Sequence, residues 1–165
     1  NLTKMWRLTM EYAHTLNPPW LMLLGTSGSG KTHLAAAIAN HLKPHFPDLM
    51  FTTVADLMDY LRETFEQDSE ASFIKRLRQV RDVSFLVLDD LNFAAAKPWE
   101  RERIFQILDY RYVSRRPTLI TTTSALDKLE PRILTRVMDS RVCSIGELMV
   151  ESYTVRTRRP SPPSY

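Results

Sequence analysis

The chain has almost no cysteine and no long apolar run, and each shortage excludes a class of protein. Cys143 is its only cysteine among 165 residues, which excludes an internal disulfide framework and cysteine-based metal sites. We therefore expect a reducing compartment, the cytoplasm. No apolar run approaches the roughly 20 residues of a membrane-spanning helix, and no secretory leader is apparent, so we predict no membrane partner. Because the chain opens at Asn1 rather than Met, we expect it to be part of a longer protein.

The overall composition is that of an ordinary globular chain. It is 44% hydrophobic and 25% charged, which is sufficient for one domain with its own core. Its net charge is +3 and its basic residues are mostly arginine, which weakly favours phosphate-rich partners. We predict one folded domain over residues 1–155, with a leading helix over 1–17, and a disordered tail rich in proline and arginine over 156–165.

Glycine is also scarce, and three of the four glycines lie within six residues of one another. Residues 25–32 read GTSGSGKT, which matches the phosphate-binding pattern G-x-x-x-x-G-K-[ST]. In that pattern backbone N–H groups surround the phosphates, the lysine reaches the β- and γ-phosphates, and the last hydroxyl holds Mg²⁺. An apolar run over 20–24 precedes the loop and a strong helix-forming segment follows it, so phosphates would lie at a helix N-terminus. The sequence therefore predicts ATP and Mg²⁺ as cofactors, bound by Gly25, Thr26, Ser27, Gly28, Ser29, Gly30, Lys31, Thr32 and His33.

A second feature is an apolar run, residues 85–88, that ends on two adjacent carboxylates, Asp89 and Asp90. Taken alone, such a pair more often forms a turn or a helix cap. Downstream of a phosphate-binding loop it is typical of the Walker B segment, in which the first carboxylate orients the hydrated Mg²⁺ and the second polarises the attacking water. We therefore predict that Asp89 and Thr32 are the metal ligands and that Asp90 activates water.

Apolar runs alternate with segments of helical periodicity along the rest of the chain. This alternation indicates an α/β fold with a parallel sheet between layers of helices. The predicted strands are 20–24, 49–54, 83–88, 118–122 and 141–145, and the helices outside the motifs are 2–16, 56–65 and 70–81.

Four segments in a fixed order resemble one protein family. They are the phosphate loop with THLA after its lysine, LVLDDLN at 86–92, WERE with FQIL and RY over 99–112, and RPTLITT at 116–122. Over roughly residues 15–145 the chain resembles the AAA+ core of DnaC-type helicase loaders and of the related IstB-type transposition helper ATPases. The resemblance implies a P-loop AAA+ (ASCE) three-layer sandwich with a five-stranded parallel sheet and no C-terminal lid domain.

The resemblance also assigns catalytic roles beyond those of Lys31 and Asp90. Thr123 stands where the family usually places a sensor asparagine that contacts the γ-phosphate or the attacking water. Because the threonine side chain is shorter than that of asparagine, the resemblance implies slow hydrolysis of ATP. Arg136 stands at the position of the arginine finger, which completes the site of a neighbouring subunit, and Arg132 is the second candidate. The alternative is that one of these arginines only solvates its helix or pairs with Asp139.

The helix over 70–81 carries a basic face next to an aromatic residue, Phe73. In loaders and initiators the equivalent insertion touches single-stranded DNA, and we predict that Lys75, Arg76 and Arg78 do so here. The alternative is an ordinary amphipathic helix with these side chains in water.

Together these features predict an ATP-dependent AAA+ module of a helicase loader. Its expected partners are ATP or ADP, single-stranded DNA, further copies of itself through the arginine finger, and a replicative helicase bound through a region preceding Asn1. A transposition helper, which would bind a transposase and duplex DNA, is the first alternative. A monomeric P-loop kinase and a nucleotide-gated binding module with little hydrolysis are the others.

Overall fold

The computed structural model describes residues 2–63 and 70–149. Within these residues five strands form one sheet, with helices on both of its faces. The strands are β1 (Trp20–Gly25), β2 (Met50–Thr53), β3 (Leu86–Asp89), β4 (Thr118–Thr122) and β5 (Cys143–Leu148). The helices are α1 (Leu2–Thr15), α2 (Lys31–Leu42), α3 (Val54–Arg62), α4 (Glu70–Asp82), α5 (Pro98–Val113) and α6 (Pro131–Val137), with a short 3₁₀ turn at Leu126–Lys128.

The strand order is β2-β3-β4-β1-β5, and every neighbouring pair is parallel. The predicted α/β class and the five-stranded parallel sheet are therefore confirmed. Because all strands run in the same direction, their carboxyl ends lie at one edge of the sheet, where ligands bind in open α/β folds. We call this the carboxyl edge.

Two hydrophobic layers explain why β1 is apolar along its whole length. Alternate residues of β1 face opposite sides of the sheet. Trp20 and Met22 belong to a core that includes residues of α3, α4, α5 and α6. Leu21 and Leu23 belong to a second core that includes residues of α1 and α2. The three-layer sandwich is thus built on a sheet that is covered on both faces, as parallel sheets generally are.

Strand β2 is one residue shorter at each end than the predicted strand 49–54, and two other predicted strands begin two or more residues later in the structure. Strand β3 begins at Leu86 and includes Asp89, which brings that carboxylate to the end of the strand. Strand β5 begins at Cys143 because Asp139 holds the preceding residues in a turn. The Asp139 carbonyl accepts hydrogen bonds from the N–H groups of Val142 and Cys143, 2.8 and 2.9 Å away.

Helix α1 lies within the predicted leading helix and packs on β5. A Cβ atom at Gly146 would lie 2.8 Å from Met5 Sδ, so a larger residue there would require the Met5 side chain to move. Tyr12 of the same helix donates its hydroxyl to the carbonyls of Pro19 and Thr118, 3.0 and 3.2 Å away.

The remaining predictions differ in whether the structure describes them. Helix α3 begins at Val54, two residues before its predicted start, because the Thr53 hydroxyl accepts a hydrogen bond from the Asp56 N–H and caps it. The last two residues of the predicted helix 56–65 and the predicted tail 156–165 lie outside the described residues. In the described part of the chain no lid follows β5, and none of its helices is long and apolar enough to cross a membrane.

Candidate nucleotide-binding site

The glycine-rich loop connects the end of β1 to the start of α2 at the carboxyl edge. Gly30 has φ +97, a left-handed conformation that favours glycine, and its carbonyl accepts the Leu34 N–H at 3.0 Å as α2 begins. A Cβ atom at Gly25 would lie 2.7 Å from the Leu148 carbonyl oxygen. The glycines therefore allow a tight turn that directs the unpaired N–H groups of the first turn of α2 toward one point, which is an anion-binding arrangement.

Lys31 lies across this loop, with 7% of its surface exposed. Its Nζ donates hydrogen bonds to the carbonyls of Gly25 and Thr26, 2.8 and 2.7 Å away. Burial lowers the pKa of Lys31, while the negative charges of Asp90 and Asp89 act in the opposite direction and raise it. No carboxylate among the described residues forms an ion pair with Lys31, so the loop carries positive charge that a phosphate could neutralise.

Asp89, at the end of β3, faces the first turn of α2. The Thr32 hydroxyl donates to its carboxylate, 3.0 Å from Oδ2 and 3.1 Å from Oδ1. Asp89 is only 5% exposed. A hydroxyl and a carboxylate are the oxygen donors that Mg²⁺ prefers, so these two residues fit the predicted metal. The described residues contain no group of three or more His, Cys, Asp or Glu that could hold a metal ion, so a cation here would also require phosphate and water oxygens.

Asp90 and Thr123, the predicted water-activating and sensor residues, lie directly beyond the adjacent strands β3 and β4. Both are exposed. Asp90 has φ +59, a left-handed conformation that aspartate tolerates better than most residues. The structure thus brings both to the carboxyl edge with the loop, while their catalytic roles stay predictions. His33 is exposed in the first turn of α2.

Arg136, the predicted arginine finger, is engaged within its own chain. Its Nε donates to Asp109 Oδ1 at 2.8 Å, and its Nη2 donates to the same oxygen. Its guanidinium lies 4.9 Å from the ring centroid of Phe105. The alternative of a pair with Asp139 is wrong, because that carboxylate accepts hydrogen bonds from Arg141 and from the Tyr112 hydroxyl.

Arg132, the second candidate for the finger, also pairs with other residues. It bonds to Glu130 and Glu102, and its guanidinium lies 3.9 Å from the ring centroid of Phe105. Neither pairing tests what either arginine does in an assembly, so the finger stays a prediction.

The three predicted DNA-binding residues of α4 differ in their surroundings. Arg76 donates to the Tyr60 carbonyl and to Glu63 Oε2, and its guanidinium lies 4.4 Å from the Tyr60 ring centroid. Lys75 and Arg78 are exposed and form no ion pair with another described residue. Arg76 therefore attaches α4 to α3, whereas Lys75 and Arg78 are available to a partner.

The sequence analysis missed two buried polar residues, Thr121 and Arg111. Thr121 lies on β4 beside β3, where its hydroxyl donates to Asp89 Oδ1 at 2.6 Å and accepts the Asp90 N–H at 2.9 Å. Arg111 is fully buried and donates to Thr118 Oγ1 at 2.9 Å. Neither residue stands out in the sequence, because β4 reads TLITT and α5 contains several other charged residues, so the partners are visible only in the structure.

The strand order, the glycine loop after β1 and the carboxylate at the end of β3 define a P-loop domain of the AAA+ class. Solved structures of this class have a fold similar to that of this chain. The crystal structure of the DnaC helicase loader superimposes with a TM-score of 0.74 at 24% identity, covering 88% of this chain and 89% of that one. The crystal structure of DnaI superimposes with a TM-score of 0.68 at 25% identity, covering 91% of this chain and 82% of that one.

Sequence comparison identifies the family. The family model of the IstB-like ATP binding protein matches residues 9–160, and the chain belongs to this family. The replicative helicase loader DnaC of Escherichia coli K12 is 36% identical over 115 residues, which are 70% of this chain and 46% of that protein. The chain therefore spans about half the length of the curated relatives it matches. The predicted resemblance to the DnaC and IstB AAA+ core is confirmed.

Proposed function

We propose that this chain is the ATP-hydrolysing AAA+ module of a helicase loader, which binds Mg²⁺ and ATP and acts on single-stranded DNA and a replicative helicase. The observation that carries the proposal is the meeting of Lys31, Thr32 and Asp89 at the carboxyl edge. The 36% identity to a protein named replicative helicase loader supports the biological role. The helicase contact would lie outside the residues of this chain.

The nucleotide phosphates would bind at the N–H groups of the loop and of the first turn of α2. Lys31 would exchange the carbonyls of Gly25 and Thr26 for phosphate oxygens, which are stronger partners because they are charged. Thr32 and Asp89 would hold Mg²⁺, which when bound would neutralise part of the phosphate charge.

Hydrolysis would use groups at the same edge of the sheet. Asp90, exposed and next to Asp89, would accept a hydrogen bond from the attacking water and orient it. Thr123 would donate its hydroxyl to the γ-phosphate or to that water. Arg136 of a neighbouring copy would exchange its pairing with Asp109 for the γ-phosphate, so turnover would depend on assembly.

A complementation assay of ATP turnover tests this proposal. Turnover is measured with and without single-stranded and duplex DNA for the unchanged chain, for Lys31→Ala and for Arg136→Ala. We expect single-stranded DNA to stimulate ATP turnover by the unchanged chain. We expect turnover by each variant alone to be lower by at least about 10-fold. An equimolar mixture should regain activity, because one variant supplies the intact phosphate loop and the other the arginine.

The same assay separates the alternatives. Arg141→Ala, which removes an exposed arginine that pairs only within its own turn, is the matched control and should keep full turnover. Activity of Arg136→Ala equal to that of the unchanged chain would reject the finger assignment. Phosphate transfer to an added nucleoside monophosphate would indicate the kinase, and ATP binding without turnover in any condition would indicate a nucleotide-gated binding module.

A transposition helper is the second candidate, because the matching family model is described as IstB-like. This function predicts that duplex DNA, rather than single-stranded DNA, binds more tightly and stimulates turnover. Competition between the two DNA forms at one salt concentration distinguishes the two functions, since affinity for either form depends on salt.

A further inference from the structure

We propose that Thr121 is a positioning residue of the nucleotide site, which orients the Asp89 carboxylate for the metal and holds the backbone of Asp90 in its left-handed conformation. This inference rests on the proposed binding of Mg²⁺ and ATP. It concerns a residue of β4 that lies outside both the glycine loop and the acidic pair.

One hydroxyl group makes both contacts. Thr121 is 1% exposed, and its Oγ1 donates to Asp89 Oδ1 at 2.6 Å while it accepts the Asp90 N–H at 2.9 Å. Among the uncharged side chains of this size, only threonine and serine supply a strong donor and an acceptor on one atom. The Thr121 carbonyl also accepts the Leu91 N–H at 2.8 Å, so this residue holds the chain on both sides of Asp90.

The contact with Asp89 restricts the orientation of a carboxylate that would otherwise rotate. With Oδ1 bound by Thr121, the carboxylate plane is fixed and the Thr32 hydroxyl lies 3.0 Å from Oδ2. When a cation binds, a lone pair of the Thr32 hydroxyl would coordinate it, while the O–H of Thr32 can still donate to Asp89. The Thr121 hydroxyl can keep its bond throughout, so it preserves the orientation of the ligand in both states.

The contact with Asp90 restrains a strained backbone. A non-glycine residue with φ +59 requires support from its surroundings, and the Asp90 N–H has the Thr121 hydroxyl as its acceptor. Because the same atom holds Asp89 and Asp90, it links the orientation of the predicted metal ligand to the direction in which the predicted water-activating side chain leaves the backbone.

The neighbouring threonine provides a matched control. Thr122 is also fully buried, but its hydroxyl donates to the Leu91 carbonyl and accepts the Ser124 N–H at 3.0 Å. Alternation along the strand directs it away from Asp89. Thr122→Val therefore removes a buried hydroxyl from the same strand without touching the acidic pair.

The experiment measures binding of a fluorescent ADP analogue in EDTA and over a series of Mg²⁺ concentrations. Thr121→Val and Thr121→Ala, which both remove the hydroxyl, should raise the half-saturating Mg²⁺ concentration about 10-fold, the usual effect of losing a group that orients a metal ligand. Their affinity in EDTA should stay within about 2-fold, since the phosphate loop is unchanged. Thr121→Ser keeps the hydroxyl and should match the unchanged chain, as should Thr122→Val.

The outcomes are separable from those of the proposed function. If the unchanged chain shows no Mg²⁺-dependent nucleotide binding, the proposed function fails. If it does, and a folded Thr121→Val or Thr121→Ala keeps the same half-saturating concentration, the role of Thr121 is rejected. A 10-fold increase in the half-saturating Mg²⁺ concentration of Thr121→Ser or of Thr122→Val would also overturn the proposal. In that case the increase would not be caused by loss of the hydroxyl that faces Asp89.

Discussion

At the scale of single residues, Arg111 shows that a buried charge in this fold needs no acidic partner. It is fully buried, and besides Thr118 Oγ1 its guanidinium donates to the carbonyls of Arg81, Val83 and Pro117. Burial lowers the pKa of Arg111 to about 9, which leaves the side chain charged at pH 7. The residue thereby joins α5 to the ends of α4 and β4.

Replacing Arg111 should destabilise the domain more than replacing an exposed arginine of the same helix. In Arg111→Met the carbonyls of Arg81 and Val83 lose the guanidinium as donor, and the Pro117 carbonyl keeps only the Leu86 N–H, 3.2 Å away. We therefore expect a loss of about 3 kcal/mol in the free energy of unfolding. Arg101→Met, at an exposed position of α5, should stay within about 1 kcal/mol. Urea unfolding at pH 7 measures both, and a loss below about 1 kcal/mol for Arg111→Met would mean that water satisfies the carbonyls.

At the scale of helices and strands, α4 separates a stabilising arginine from two exposed basic residues. Arg76 contacts Tyr60 and Glu63 near the end of α3, whereas Lys75 and Arg78 face away from such partners. The sequence predicted one basic face, because helical spacing alone puts all three near one another. The docking of α3 on α4 decides which of these charges is available.

This division predicts opposite results for two sets of variants. Lys75→Ala combined with Arg78→Ala should weaken single-stranded DNA binding and make the dependence of log K on log salt shallower by about 1.4, since two phosphate contacts are lost. Its stability should stay within about 0.5 kcal/mol.

Arg76→Ala should instead lower the free energy of unfolding by about 1–2 kcal/mol, because it loses hydrogen bonds and a cation–π contact. Its salt dependence should be nearly unchanged. Fluorescence anisotropy with a labelled oligonucleotide and urea unfolding measure the two properties. A larger loss of DNA affinity in Arg76→Ala than in the double variant would reject the assignment of Arg76 to stability and of Lys75 and Arg78 to DNA binding.

At the scale of the whole molecule, the nucleotide site joins elements that are far apart in the chain, between residues 25 and 121. The loop follows β1, the metal ligand ends β3 and Thr121 belongs to β4. A ligand that bridges these elements should stabilise the native state as a unit, because it binds the folded chain only.

Mg²⁺ and ATP at about 100 times the dissociation constant should add about 2.7 kcal/mol of stability. For a domain of this size that is a rise in Tm of roughly 5–10 °C. Lys31→Ala should lose most of this rise, and Asp89→Asn should lose the part that depends on Mg²⁺. Thermal unfolding followed by circular dichroism measures the rise in Tm. A rise in Lys31→Ala equal to that in the unchanged chain would indicate that the nucleotide binds elsewhere.

Local patterns were sufficient to predict the glycine loop, the alternation of strands and helices, and the acidic pair. Each of these depends on residues that are close in the chain, such as Gly30 and Lys31, so the local backbone and its nearest neighbours define them. Strand boundaries were predicted less accurately. The turn at Asp139 sets the start of β5, and pairing with neighbouring strands sets the start of β3. Hydrophobic periodicity records neither kind of contact.

Contacts between distant residues followed only from the folded chain. Thr32 and Asp89 are 57 residues apart in the sequence, and Thr121 and Asp89 are 32 apart. Their hydrogen bonds require parallel strands in a specific order and register, which place the hydroxyls of Thr32 and Thr121 each within about 3 Å of the Asp89 carboxylate. The internal pairing of Arg136 with Asp109 likewise depends on how α6 packs on α5. The sequence thus determines which chemical groups the domain carries, and the packing of strands and helices decides which of those groups meet.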